Sequence, residues 1–248
     1  MSEKSKRYYL LDSVRGFSVI SMVLYHAMYD IVAIFGFDVS WYFKTPGHIW
    51  QQSICWVFIF ISGVCWGMGK APLKRGILFS LCGLVLTAAT LIFMPSQLII
   101  MGILSFMGAA YIVMIPFDKL VKKNAHIWLV ITVLLFFITK NINSGYLGFE
   151  NIILGRVWQG LYQIPAGFIL GLPNAGFYSS DYFALMPWFF LFAAGHLFWI
   201  CFGEKIKKSD IIYHDIPILG MVGRKSLLIY MLHQPVIMAV LTIFLTIS

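Results

Sequence analysis

Charge is what this sequence has least of. Asp, Glu, Lys and Arg together make up 11% of its 248 residues, against about 25% in soluble domains. So few charges cannot cover a water-exposed surface, which excludes a soluble globular domain. Cysteine is also sparse: Cys55, Cys65, Cys82 and Cys201 fall in apolar runs and lack metal-ligand spacing, so they read as reduced packing residues and no metal is expected. There is no short-period repeat, low-complexity linker or soluble segment, and a single membrane domain over residues 1–248 is the expectation. Nor is a cleavable signal peptide recognisable, because the first apolar run is longer than a signal core and has no small-residue cleavage site.

What is present is hydrophobic: 60% of residues, with a mean hydropathy of +0.85. About 20 apolar residues are needed to cross roughly 30 Å of hydrocarbon as a helix. Such runs lie near residues 17–37, 50–68, 77–94, 98–116, 182–202 and 227–247, with a shorter one at 126–139 between Lys122, Lys123 and Lys140. The fold class expected is therefore an all-α polytopic membrane protein of about seven transmembrane helices. The basic residues orient it, since retained cytoplasmic loops are enriched in Lys and Arg. With the N-terminus inside, only Lys44, Lys140 and Arg156 of the 18 basic residues fall outside, and the C-terminus is outside. The same distribution explains the net charge of +8 without invoking nucleic acid, because the cations form no aromatic-interleaved patch.

Residues 151–172, "NIILGRVWQGLYQIPAGFILGL", are apolar but broken by Arg156, Gln159, Gln163 and Pro165. A crossing here would put Lys205, Lys207 and Lys208 outside. An interfacial or re-entrant element in an outer loop is expected instead, either roofing a cavity or lying on the surface as an amphipathic helix.

The first span, "LLDSVRGFSVISMVLYHAMYD", keeps Asp12, Arg15, His26 and Asp30. At 100° per residue these fall within an arc of roughly 80°, so one stripe carries all four. Ionisable groups at membrane depth cost about 2.5–3.5 kcal/mol each and face a bundle interior or a wet cavity. His26 and Asp30 stand one turn apart, where a carboxylate can accept from an imidazole N–H and raise its basicity. The last span, "GRKSLLIYMLHQPVIMA", carries Tyr230, His233, Gln234 and Pro235, and His233 lies at a depth similar to that of His26. Structural hydrogen bonding is the competing role for both histidines. Lys44 and His48 occupy the short loop "WYFKTPGHIW", and Ser180 or Asp181 is placed to cap the sixth span.

Three pieces carry a resemblance. Arg7, Leu11, Asp12, Arg15, Gly16, Met22, His26 and Asp30, then "SSDYFALMPWF", then "GRKSLLIYMLHQPV" resemble, in order, motifs of the heparan-α-glucosaminide N-acetyltransferase-like family. Ala184 departs from the proline usual in the middle motif. The resemblance implies transfer of an acetyl or other acyl group from cytoplasmic acetyl-CoA, as co-substrate, to an amino sugar or glycan on the outer face. It implies catalytic roles for His26 or for His48, whose position matches a loop histidine of the animal relatives, with Asp30 and His233 assisting. Arg15, Arg224, Lys225 and Lys70 would hold the CoA nucleotide; Asp181, Tyr182 and Trp41 would meet the acceptor, Tyr182 or Tyr230 serving as oxyanion donor and Trp41, Tyr42, Trp158 and Tyr162 as stacking surfaces. Expected partners are membrane lipid and a saccharide acceptor, with homodimerisation left open, and the expected location is a bacterial cytoplasmic membrane. A proton-coupled transporter or flippase using the His/Asp stripe is the alternative, although no inverted repeat supports it.

Overall fold

The computed structural model describes residues 7–247; Lys4 and Lys6, counted above among the cytoplasmic cations, lie outside them. The helices are α1 (Tyr9–Tyr29), α2 (Thr45–Trp66), α3 (Pro72–Phe93), α4 (Ile103–Val121), α5 (Ala125–Ile138), α6 (Leu185–Ile206), α7 (Pro217–Arg224) and α8 (Ser226–Ile247). Between α5 and α6 stand two short strands, β1 (Tyr146–Phe149) and β2 (Ile152–Arg156). Six stretches among the described residues are long and apolar enough to cross a membrane, and the protein is an integral membrane protein built on helices.

One of those stretches, Ile103–Ser144, contains both α4 and α5. They double back on each other at the turn Lys122–Asn124, because the Phe117 and Trp128 rings meet with centroids 6.0 Å apart. α5 has 14 residues, about 21 Å, which is short of a full crossing, as its flanking lysines imply.

The chain divides into two compact units, residues 1–61 with 204–248 and residues 62–203. In the first, α7 lies directly on α1. A Cβ on Gly16 would strike the Leu219 carbonyl and one on Gly223 the Asp12 carbonyl, so two glycines bring the helix backbones into contact, the usual device for close helix packing in lipid. Pro217 starts α7 at a position where no N–H is needed, and the Ile216 N–H donates to Ser13 Oγ at 3.4 Å. This eight-residue helix was not anticipated from the sequence, being too short for a hydropathy window.

In the second unit, α3 packs against α4 through small residues: a Cβ on Gly83 would strike Ser105 and one on Gly108 would strike Ser80. Phe106, Met114, Phe192 and Leu197 are fully buried there. Residues 151–172 do not form a helix. They comprise β2 and two 3-10 turns, Gln159–Gln163 and Gly167–Ile169, because Gly, Gln and Pro interrupt the apolar pattern at short intervals.

Candidate active site

α1 ends in a π-helical turn, Asp30–Ile34, in which the Phe35 N–H donates to the Asp30 carbonyl at 2.9 Å. Such turns inside long helices are rare and concentrate at functional sites. This one carries Asp30, whose side chain is completely buried. A buried carboxylate needs donors, and Gln234 on α8 supplies them: its Nε2 donates to Oδ1 at 2.8 Å and to Oδ2 at 2.9 Å. The expected His26–Asp30 hydrogen bond is not formed. A shared stripe fixes which way two side chains face, but the partner of Asp30 arrives from a helix 204 positions along the chain. The Gln234 Oε1 atom is buried with no hydrogen-bond partner among the described residues.

His26 instead meets His233, with ring centroids 4.8 Å apart at 64°. The His233 Nδ1–H donates to the Tyr230 carbonyl at 2.6 Å, a carbonyl being able only to accept. Nε2 is thereby left as the nitrogen that can take a proton. The sequence placed these two histidines at similar depth, and the structure brings their rings together.

On its other side His26 contacts Tyr25 edge-on, with centroids 6.1 Å apart. Tyr25 begins an aromatic cluster: its ring lies 5.1 Å from Tyr42 and 5.2 Å from Trp50. Tyr42 donates its hydroxyl to the Tyr25 carbonyl at 3.0 Å, and Trp50 Nε1 donates to Ser21 Oγ at 2.8 Å. Tyr42 is 2% exposed, so this residue is a packing and hydrogen-bonding group and presents no open ring face; burial also pushes its hydroxyl pKa well above the ordinary value. Trp41 leans on both Tyr42 and Trp50 and remains 42% exposed, which leaves one ring face open beside the cluster. His48 lies exposed in the first turn of α2, its N–H bonded to the Lys44 carbonyl.

At the other end of α1, Asp12 pairs with Arg7 at 2.7 Å and Arg15 at 3.4 Å. The hydrogen bond to Asp12 holds the Arg7 pKa above its ordinary value. Arg224, the last residue of α7, approaches Asp215 at 3.9 Å, and Lys225 follows it in the turn before α8. Arg15 and Arg224 thus come from the two helices that the glycines press together. Lys70, Asp181 and Tyr182 belong to the second unit, where Lys70 is exposed.

Several residues singled out in the second unit have other partners in the structure. Asp181 stands four residues before α6 begins, and its Oδ2 lies beside Gly102, the N-cap of α4, 3.2 Å from where a Cβ would stand. Ser180 Oγ donates to the Gln97 and Leu98 carbonyls instead of capping. The Tyr182 hydroxyl donates its proton to the Phe168 carbonyl, so in this arrangement that proton is already engaged; burial raises its pKa. Tyr162 likewise turns inward to the Ile142 carbonyl.

One polar pair was missed. His196 on α6 sits within "AAGHLF", buried at 5% exposure, and its Nε2–H donates to Asp118 Oδ1 on α4 at 2.7 Å. Trp66 lies edge-on to the ring at 4.8 Å and Gly67 abuts it. A histidine among small apolar residues, with the one acidic side chain of α4 available to it, was the signal that could have found this pair.

A sequence model of the catalytic domain of heparan-alpha-glucosaminide N-acetyltransferase matches residues 7–235. No curated protein and no solved structure matches the chain. The matched range takes in every residue of the His26, Asp30, His233 and Gln234 cluster.

Proposed function

Because the chain belongs to the heparan-alpha-glucosaminide N-acetyltransferase catalytic family, whose activity is transmembrane N-acetyl transfer, we propose that it moves an acetyl group from cytoplasmic acetyl-CoA to an amino sugar, or the terminal amino sugar of a glycan, on the outer face of a bacterial cytoplasmic membrane. The observation that carries this reading is the facing pair of rings, His26 and His233, at membrane depth beside a carboxylate held by Gln234.

An amine is nucleophilic only after losing a proton, and a histidine within reach accepts it. His233 Nε2 is suited to that role, since Nδ1–H is committed to the Tyr230 carbonyl. His26, in ring contact with it, takes or relays the same proton. The amine nitrogen attacks the thioester carbonyl, a C–N bond forms as the C–S bond breaks, CoA leaves as its thiol and one proton is released overall. Asp30 provides a fixed negative charge near the rings, which favours an imidazolium while the proton is held there.

Arg15, Arg224 and Lys225 are the cations that would meet the phosphates of the nucleotide at the cytoplasmic end of α1 and α7. Trp41 would stack on the acceptor sugar through its open face.

Equilibrium binding tests the donor half of this reading. Purified protein in nanodiscs should bind acetyl-CoA saturably, and Arg15→Ala with Arg224→Ala should weaken it by about 1–3 kcal/mol for the lost charge-assisted contacts, roughly 5- to 150-fold. No saturable binding by folded protein would remove the acyltransfer reading and favour a proton-coupled transporter.

A further inference from the structure

The β1–β2 hairpin is a poor candidate for a water-exposed loop. Ile152, Ile153 and Leu154 are 63%, 60% and 65% exposed, and Trp158 just beyond them is 75% exposed. Successive side chains on a strand point to opposite faces, so three consecutive exposed apolar residues make both faces of the strand apolar. Water-facing hairpins avoid this composition because an exposed apolar strand recruits other chains.

Depth gives the hairpin another solvent. α3 and α4 run antiparallel, with Gly83 against Ser105 and Gly76 against Tyr111 and Ile112. From Gly83 to the end of α3 at Phe93 the helix rises about 15 Å, whereas α4 extends only about 3 Å past Ser105 to its start at Ile103. α3 therefore overshoots α4 by about 12 Å. Leu91, Ile92 and Phe93 on that overshoot are all exposed, as are Leu84 and Val85 just before it, a surface suited to acyl chains.

The hairpin sits at the level of the α4 start. The Phe183 N–H donates to the Met101 carbonyl at 2.8 Å, Phe183 contacts Trp188 near the start of α6, and Trp188 contacts Phe136 near the end of α5. Phe137 then meets Phe149 at the hairpin tip, with centroids 5.2 Å apart. The ends of α4, α5 and α6 and the hairpin tip thus share one level, below the outer end of α3.

We propose that the β1–β2 hairpin is immersed in the bilayer leaflet on that side, Ile152, Ile153 and Leu154 lying against phospholipid acyl chains and Trp158 and Arg156 at the head-group boundary. With the N-terminus inside this is the outer leaflet. The polar groups fit this placement: at the base of the hairpin Arg156 lies over the Tyr146 ring at 6.0 Å, and at its tip the Glu150 carboxylate is paired with Lys140 at 3.9 Å. The sheet has two strands, so the far edge of β2 keeps N–H and C=O groups that hydrocarbon does not satisfy. A bilayer thinned beside the short α5 brings water and head groups to that edge. Phospholipid is favoured over a second copy because the apolar strand continues, at the same depth, the lipid-facing surface of α3.

Photo-crosslinking tests this. A p-benzoylphenylalanine placed at Ile153, and separately at Leu154, is irradiated in phosphatidylglycerol nanodiscs, with Ile92 on α3 as the lipid-facing reference and the exposed Lys208, in the loop after α6, as the polar one. Phospholipid adducts at 153 and 154 in yields comparable to Ile92, and several-fold above Lys208, are expected. Two positions keep the test valid should one variant fail to fold. A protein–protein dimer at these positions, or lipid adducts at Ile92 with none at 153 and 154, would overturn the proposal.

Discussion

Gln234→Leu removes the donor that Asp30 has from α8 while keeping a similar side-chain volume. In the native chain one amide nitrogen donates to both carboxylate oxygens, at 2.8 and 2.9 Å, and Asp30 has no solvent exposure. Hydrogen bonds to a charged group contribute about 1.5–3 kcal/mol, and a buried charge left without its partner costs about 3–5 kcal/mol. Gln234→Leu should therefore destabilise the protein by about 3 kcal/mol. Asp30→Leu leaves only the neutral Gln234 amide unsatisfied and should cost less, about 1–3 kcal/mol. The double variant removes both polar groups, so its cost should fall short of the sum by about 2 kcal/mol. The assay is reversible unfolding of the four proteins in one detergent, with acetyl transfer measured in parallel. Strict additivity of the two substitutions would refute the claim that Gln234 holds Asp30. Loss of transfer in Gln234→Leu at a temperature where the variant is folded would show that the carboxylate must be held for the chemistry.

Three further outcomes are expected. Gly223→Ala drives a methyl group into the Asp12 carbonyl and should cost about 1–3 kcal/mol by forcing α1 and α7 apart, read as a lower midpoint in thermal unfolding; an unchanged midpoint would contradict the backbone contact. His196→Leu removes the donor of Asp118, whose side chain is 21% exposed, so water shares the burden and the loss of stability should be about 1–2 kcal/mol, checked by the same melt. Trp41→Ala should raise KM for the acceptor by about 2- to 12-fold with little change for acetyl-CoA, as loss of an aromatic face worth roughly 0.5–1.5 kcal/mol implies; equal effects on both substrates would deny it a stacking role.

The membrane class was legible because apolar runs and sparse charge leave no other solvent, and the helices fall close to the runs. The His26 and His233 pairing was half legible: distance along each apolar run gave similar depths, and the aromatic contact between the rings follows from the packing of α1 against α8. The partner of Asp30 was not legible, since helical spacing says which residues share a face and not what crosses to meet them. Nor was the π-helical turn that begins at Asp30, a local change of hydrogen-bond register without a composition signal. Asp181 was assigned to the nearest downstream helix start; what the spacing did not show is that the loop at 179–183 runs back along residues 98–101, where the Ser180 N–H donates to the Leu98 carbonyl, and brings Asp181 beside Gly102. α7 escaped because its eight residues are too few to stand out in a hydropathy window sized for a membrane crossing.

Sided acetyl transfer in proteoliposomes is the most direct measurement. Labelled acetyl-CoA is sealed on the side of the N-terminus, glucosamine and related amino sugars are supplied on the other, and wild type is compared with His26→Ala and His233→Ala. Labelled N-acetyl sugar on the far side, rising with pH as the base loses its proton, and lost in both histidine variants while His48→Ala retains it, is the expected result. Transfer that survives in both His26→Ala and His233→Ala, or that is abolished by His48→Ala alone, would place the chemistry elsewhere than the His26 and His233 pair.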